Sequence, residues 1–189
     1  MKMKNNKLKV YKNNQEICET GNFMIVEGMI VRHTSDQLIN IIKEGEILFD
    51  DAEFLCPIFH YKAKGNVVLL EIGDTFILQS YEMLKKEAEQ AVMKKIENKI
   101  KIMSLSAEER IKDFFIQVGE EIGIKEDSSC TIPAIFTQEE IAKYTFVTRE
   151  YLNVILKRFC KVGLLEATRQ KWIILFWEKW TEKEMVKNN

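Results

Sequence analysis

Proline and histidine are nearly missing from this sequence, with 2 of each in 189 residues. Pro57 and Pro133 alone lack a backbone donor, so long helices and strands can run uninterrupted. His33 and His60 are the only imidazoles, and there is no Ser/His/Asp order, no phosphate-cradling Gly-rich loop and no cluster with metal-ligand spacing. Acid–base, nucleophilic and metal chemistry are therefore poorly supplied, and the chain reads as a non-enzyme. Cys18, Cys56, Cys130 and Cys160 lie far apart with no CxxC pair, which excludes a zinc finger. They read as reduced and mostly buried thiols, with a sensor thiol or an iron–sulfur cluster as the minority alternative. An excess of either charge is also missing: the formal net charge is −1, so any pull on a polyanion must come from local clustering. No apolar run approaches the roughly 20 residues of a membrane span, and the Lys- and Asn-rich first nine residues lack the apolar core of a signal peptide. The expectation is a cytoplasmic protein.

What is present is ordinary for a folded globular chain: 46% hydrophobic and 30% charged residues. From Val10 to about Ile72, short apolar stretches run from Phe23 to Val26, Met29 to Val31, Leu38 to Ile42, Ile47 to Phe49 and Val67 to Ile72. Gly21, Gly28, Gly45, Gly65 and Gly73 punctuate them, the spacing of an antiparallel β sandwich or roll. The Leu38 to Ile42 run fits one turn of helix equally well. From Thr75 to Met103 there is no Gly or Pro, and strong helix formers dominate, so a long helix follows. Ile77, Leu84 and Ala91 recur at seven-residue intervals with Tyr81 and Ala88 between them. Lys95 and Asn98 interrupt that stripe, while Ile96, Ile100 and Met103 continue an apolar face rotated from it. Two readings stand: the face packs on its own β domain, or it forms a helix–helix dimer seam.

Ser106 and Glu109 have the spacing of a capping box and open another helix, with Ile111, Phe114, Phe115 and Val118 on one face and Gly123 at its end. Lys125 to Ser129 reads as a loop before a short strand at Cys130 to Ile132. Phe136 to Leu165 then reads as two helices across a very short turn. Thr137 and Glu140 cap the first, and Thr148 caps the second. Leu152, Ile155, Leu156 and Phe159 form the buried face of the second helix.

Its opposite face presents Arg149, Glu150, Asn153 and Lys157. A guanidinium pairs with guanine O6 and N7, a carboxylate accepts from cytosine N4, and an amide reads adenine or binds phosphate. The free N–H groups at the helix start favour an adjacent phosphate. Between residues 143 and 171, Lys143, Arg149, Lys157, Arg158, Lys161, Arg169 and Lys171 face only Glu150 and Glu166, an excess of five positive charges. Such an excess suits phosphate neutralisation and counterion release. Leu164 and Leu165, then Trp172 to Phe176, read as two strands around a basic turn at Arg169 to Lys171, a wing able to reach a neighbouring phosphate. The alternative for this segment is a structural helical hairpin with a solvated charged face.

These residues resemble the Crp/Fnr family of bacterial transcription regulators. The likeness rests on Thr137-Gln138-Glu139-Glu140-Ile141-Ala142, Thr148-Arg149-Glu150 and Ile155-Leu156-Lys157-Arg158-Phe159, ending at Gly163-Leu164-Leu165. It extends more weakly to Arg110-Ile111, to the long helix, and to Phe23-Met24-Ile25-Val26-Glu27-Gly28 in the β domain, and so spans nearly the whole chain. The resemblance implies an α+β protein. It would have an N-terminal cyclic-nucleotide-binding-like antiparallel β-roll (double-stranded β-helix or jelly-roll type) over 1–75, a dimerisation helix over 76–105 and a winged helix–turn–helix domain over 106–189. It also implies a homodimer, with Ile77, Tyr81, Leu84, Ala88, Ala91 and Ile96 in the seam, and double-stranded DNA and RNA polymerase as partners. Base contacts fall to Arg149 and Glu150. Backbone contacts fall to Thr148 and Lys157, and Thr137, Gln138, Asn153, Arg169 and Lys171 complete the expected DNA-binding set.

Three departures qualify the likeness. Phe146 stands where the family's turn often has Gly, and Val154 where many members place a base-reading Arg. In the cyclic-nucleotide cassette, Gly45-Glu46-Ile47-Leu48 is followed by Asp50, Asp51 and Glu53, with no Arg after Pro57. The acidic residues would repel a phosphate, so no cyclic-nucleotide binding is expected. His33 and His60 are read as ordinary histidines rather than haem ligands, and no cofactor is expected beyond an unidentified small-molecule effector in the β domain. A second reading from another class is a degenerate regulator acting as a protein-interaction module with vestigial DNA binding.

Overall fold

The computed structural model describes residues 7–35, 37–48, 59–72 and 81–181. The chain divides into two compact units, Met1–Lys101 and Ile102–Asn189. The described part of the first holds five strands: β1 (Leu8–Tyr11), β2 (Phe23–His33), β3 (Leu38–Lys43), β4 (Ile47–Leu48) and β5 (His60–Glu71). They form one antiparallel sheet in the order β1-β5-β2-β3, and β4 pairs with the start of β2. Tyr11, Ile17, Phe23, Ile25, Ile30, Ile42, Leu48, Ala63, Val67 and Leu69 form its core.

Gly28 does not end a strand as the sequence suggests. It lies inside β2 at φ +85°, where the register against β5 shifts, and a side chain there would run into the carbonyl of Asn66. Gly65 likewise sits within β5 at φ +78°. Leu38 to Ile42 is strand, not helix. It is buried on both faces, which removes the period-two alternation that would have distinguished the two. Phe49 and the acidic Asp50, Asp51 and Glu53 lie outside the described residues.

Helix α1 (Tyr81–Ile102) follows in the same unit; the expected helical residues 75–80, Ile77 among them, are outside the described residues. Among its described side chains only Val92 is buried, a residue absent from the expected stripe, while Ala91 is exposed and Ile96 half-buried. Met93, Ile96 and Ile100, three and four residues apart, form an incompletely covered apolar stripe, with Ile100 68% exposed.

The second unit contains α2 (Ala107–Ile122), β6 (Ile124–Glu126), β7 (Ser129–Pro133), α3 (Gln138–Tyr144), α4 (Arg149–Lys161), β8 (Leu165–Ala167), β9 (Lys171–Ile174) and α5 (Trp177–Thr181). Its strands form an antiparallel sheet ordered β6-β7-β9-β8. Lys125 and Glu126 are therefore strand and not loop. They sit on the sheet edge with no buried side chain, so no apolar alternation marks them. Ile111, Phe114, Phe115 and Val118 are buried as the periodicity requires. Around them runs an edge-to-face aromatic core: Phe114 on Phe136 (centroids 5.4 Å), Phe115 on Trp172 (5.4 Å) and Phe159 on Trp180 (5.3 Å). The cysteines correct another expectation, since Cys18 and Cys160 are exposed and only Cys130 of the described three is buried. Cys160 lies on the flank of α4 that also carries Arg149 and Asn153, outside the stripe that packs inward.

Candidate nucleic-acid interface

Local chemistry builds the helix pair. The Thr137 hydroxyl accepts from the Glu140 N–H (3.2 Å), and the Glu140 carboxylate accepts from the Thr137 N–H (2.9 Å), so two free donors at the start of α3 are satisfied reciprocally. Thr148 caps α4 by accepting from the Tyr151 N–H at 3.2 Å. Between the helices lie four residues, the last of them the Thr148 cap, and Phe146 adopts φ +54°. A left-handed conformation costs an L-residue about 1–2 kcal/mol, so the turn must be held by its surroundings. Arg110 of α2 supplies the hold: its guanidinium donates to the carbonyls of Thr145 (2.8 Å), Phe146 (3.1 Å) and Leu105 (2.8 Å).

Leu152, Ile155, Leu156 and Phe159 are buried, which fixes the rotation of α4 about its axis. At about 3.6 residues per turn, Glu150, Val154, Lys157 and Lys161 then point directly away from that stripe, with Arg149 and Asn153 on one flank and Tyr151 and Arg158 on the other. Arg149, Glu150 and Lys157 are exposed and Asn153 is half-buried. Sequence reasoning missed the ion pair between Arg158 and Glu108 of α2, which engages one of the seven basic residues within the fold.

Strands β8 and β9 form the two-stranded antiparallel wing, with Ala167 opposite Trp172. The Thr168 hydroxyl donates to the Lys171 carbonyl (3.0 Å) and accepts from the Lys171 N–H (3.1 Å), folding the tip so that Arg169 and Lys171 are both exposed. Thr137 is exposed, but its hydroxyl also donates to Glu140 at 3.2 Å, so capping occupies it. Gln138 is half-buried, and the Thr148 hydroxyl keeps its own hydrogen to donate outward.

In the first unit, His33 and His60 are register partners with ring centroids 5.6 Å apart; His33 is half-buried and its Nδ1 lies 2.7 Å from the Thr34 carbonyl. Among the described residues no group of three or more potential ligands could hold a metal ion, and no helix is long and apolar enough to cross a membrane. Gly45, at φ +82°, and Glu46 form a tight turn in which the Glu46 carboxylate accepts from the Lys43 N–H at 2.8 Å.

Residues 109–179 match the model of the Crp-like helix-turn-helix domain. No curated protein matches the sequence. Among solved structures, a mutant of CooA from Carboxydothermus hydrogenoformans is similar over 94% of this chain and 87% of its own, at 18% identity and a TM-score of 0.71. A CRP/FNR-family transcriptional regulator from Thermus thermophilus covers 93% of this chain and 97% of its own at 15% identity and a TM-score of 0.70. FixK2 from Bradyrhizobium japonicum covers 93% and 95% at 12% identity and a TM-score of 0.69. The C-terminal unit of this chain is thus a Crp-like helix–turn–helix domain, and the chain has the fold of the CRP/FNR regulators.

Proposed function

We propose that this chain is a sequence-specific DNA-binding regulator of transcription that acts as a homodimer and reads the major groove with α4. The observation that carries the reading is the solvent side of α4, where Glu150 and Lys157 point outward and Arg149 stands exposed beside Asn153 on the adjoining flank, on a helix seated by four buried side chains. Arg149 matches guanine O6 and N7, Glu150 matches cytosine N4, and Asn153 matches adenine or a phosphate. Lys157, the Thr148 hydroxyl and the free N–H groups at the start of α4 suit one phosphate strand, and Arg169 and Lys171 on the wing suit another. In this reading Gln138 adds a contact at the start of α3, which Thr137 caps.

In this reading residues 1–75 are a sensory domain, 76–105 a dimerisation helix and 106–189 the DNA-binding domain. In this reading Ile77, Tyr81, Leu84, Ala88, Ala91 and Ile96 form the helix–helix seam, and the incompletely covered Met93, Ile96 and Ile100 stripe, rotated from most of that set, adds apolar surface toward the end of α1. A two-fold dimer would set its recognition helices roughly 34 Å apart on a pseudo-palindromic site. Cyclic nucleotides are not the effector: Glu46 is engaged in its own turn, and the sequence that follows is acidic. Another small molecule bound by the sensory domain, and contact with RNA polymerase, complete the proposal.

Selection of bound fragments from random duplex DNA tests it. A defined operator should emerge, bound with a steep salt dependence. Arg149→Ala should abolish the preference without lowering the melting temperature, and Lys157→Ala should reduce the salt slope by about one. Recovery of no preferred sequence would reject this function in favour of a protein-interaction module, a reading to which the exposed Phe146 lends support.

A further inference from the structure

The outward face of α4 contains one residue that neither solubility nor helix formation accounts for. Val154 is 62% exposed at the centre of that face, with Glu150 one turn before it and Lys157 and Lys161 after it, all exposed. Valine is a poorer helix former than the charged residues around it, because the preceding turn restricts its branched side chain. It makes no part of the buried stripe of Leu152, Ile155, Leu156 and Phe159. A protein partner covering Val154 would have to desolvate Arg149, Lys157 and Lys161 around it. A duplex meets both requirements at once, because phosphates take the cations while the major groove offers a single apolar group, the C5-methyl of thymine. The short valine side chain has no donor or acceptor, so the polar edges of guanine, cytosine or adenine beneath it would lose water without gaining a partner.

We propose that Val154 is a specificity-determining residue that packs against a thymine methyl, so that each half-site of the operator carries an A·T pair beneath the middle of α4. The inference rests on the DNA-binding reading and names one element of the sequence it selects.

The test uses the full-length protein and the operator recovered from random duplexes, resynthesised with deoxyuridine replacing one thymine at a time. At one symmetry-related position per half-site, loss of the methyl should weaken binding about fourfold, the factor expected for returning one buried methyl to water. Val154→Gln, a substitution at an exposed site by a good helix former, should remove that penalty and shift the selected base at the same position, while the melting temperature stays unchanged. An operator whose every thymine tolerates uracil, or a uracil penalty that persists in Val154→Gln, overturns the role of Val154 and leaves DNA binding standing. Recovery of no operator overturns both.

Discussion

The guanidinium of Arg110 donates to the carbonyl of Phe146, 36 residues further along the chain, and so ties α2 to the one left-handed residue of the helix–turn–helix. The same group also holds Thr145 and Leu105. Hydrogen bonds from a charged donor contribute about 1.5–3 kcal/mol each when well formed, enough to offset the roughly 1–2 kcal/mol that the turn costs at Phe146. Arg110→Ala should therefore destabilise the C-terminal unit by about 2–4 kcal/mol. Phe146→Gly, which removes the backbone penalty, should restore part of the loss. All three tryptophans, Trp172, Trp177 and Trp180, lie in that unit, so denaturant unfolding followed by tryptophan fluorescence reads both variants. Strict additivity of the two substitutions would show that the guanidinium does not stabilise the turn.

Gly119 should resist the replacement that helix propensity recommends. Alanine is favoured over glycine in a helix by about 1 kcal/mol. Here, however, an added Cβ would meet Trp177 at 2.5 Å and 2.8 Å from two carbons of its buried indole. Overpacking of that kind costs about 1–3 kcal/mol and outweighs the gain. Gly119→Ala should lower the unfolding midpoint of the C-terminal unit, and a rise would show that Trp177 shifts freely.

Thiol chemistry should separate the cysteines. Cys18 and Cys160 are exposed, whereas Cys130 has no solvent exposure and burial pushes its thiol pKa up, so little thiolate forms and no reagent reaches it. Mass mapping after brief alkylation of the native protein should find Cys18 and Cys160 modified and Cys130 untouched until denaturant is added. Equal labelling of Cys130 in the native state would contradict its burial, with its Sγ 3.8 Å from the Gly119 carbonyl.

Burial holds the pKa of His33 below its ordinary value of 6.5. The folded state therefore disfavours the imidazolium, and the unfolded chain binds the proton first as pH falls. Stability of the N-terminal unit is full above about 6.5 and declines as the pH drops through the lower folded value. Proton NMR should place the His33 midpoint below 6.5, and protection of β2 and β5 amides should weaken over the same range. His33→Gln should flatten that dependence. A midpoint above 6.5 would reverse the sign.

Legibility in the sequence followed range. The Ser106–Glu109 and Thr137–Glu140 boxes and the Thr148 cap could be read because each is closed within four residues. The inward stripe of α4 could be read because helical periodicity is a property of the segment itself. Edge strand β6 could not, since it buries nothing, and neither could the continuity of β2 through Gly28, which depends on Asn66 in another strand. The exposure of Cys18 and Cys160 escaped because residue type sets only an average burial.

The order of caps, apolar periods and glycines is enough to specify which segments become helices, which faces turn inward, and that Glu150 and Lys157 share the outward side of one helix with Arg149 on its flank. Those outcomes are governed by hydrogen bonds and side-chain spacings a few residues long. Tertiary structure alone decided that Arg110 braces Phe146, that Glu108 engages Arg158, and that Val154 stands uncovered among charges. Each depends on which distant backbone or side chain arrives alongside, and that is set by packing of the whole unit rather than by any local run of residues.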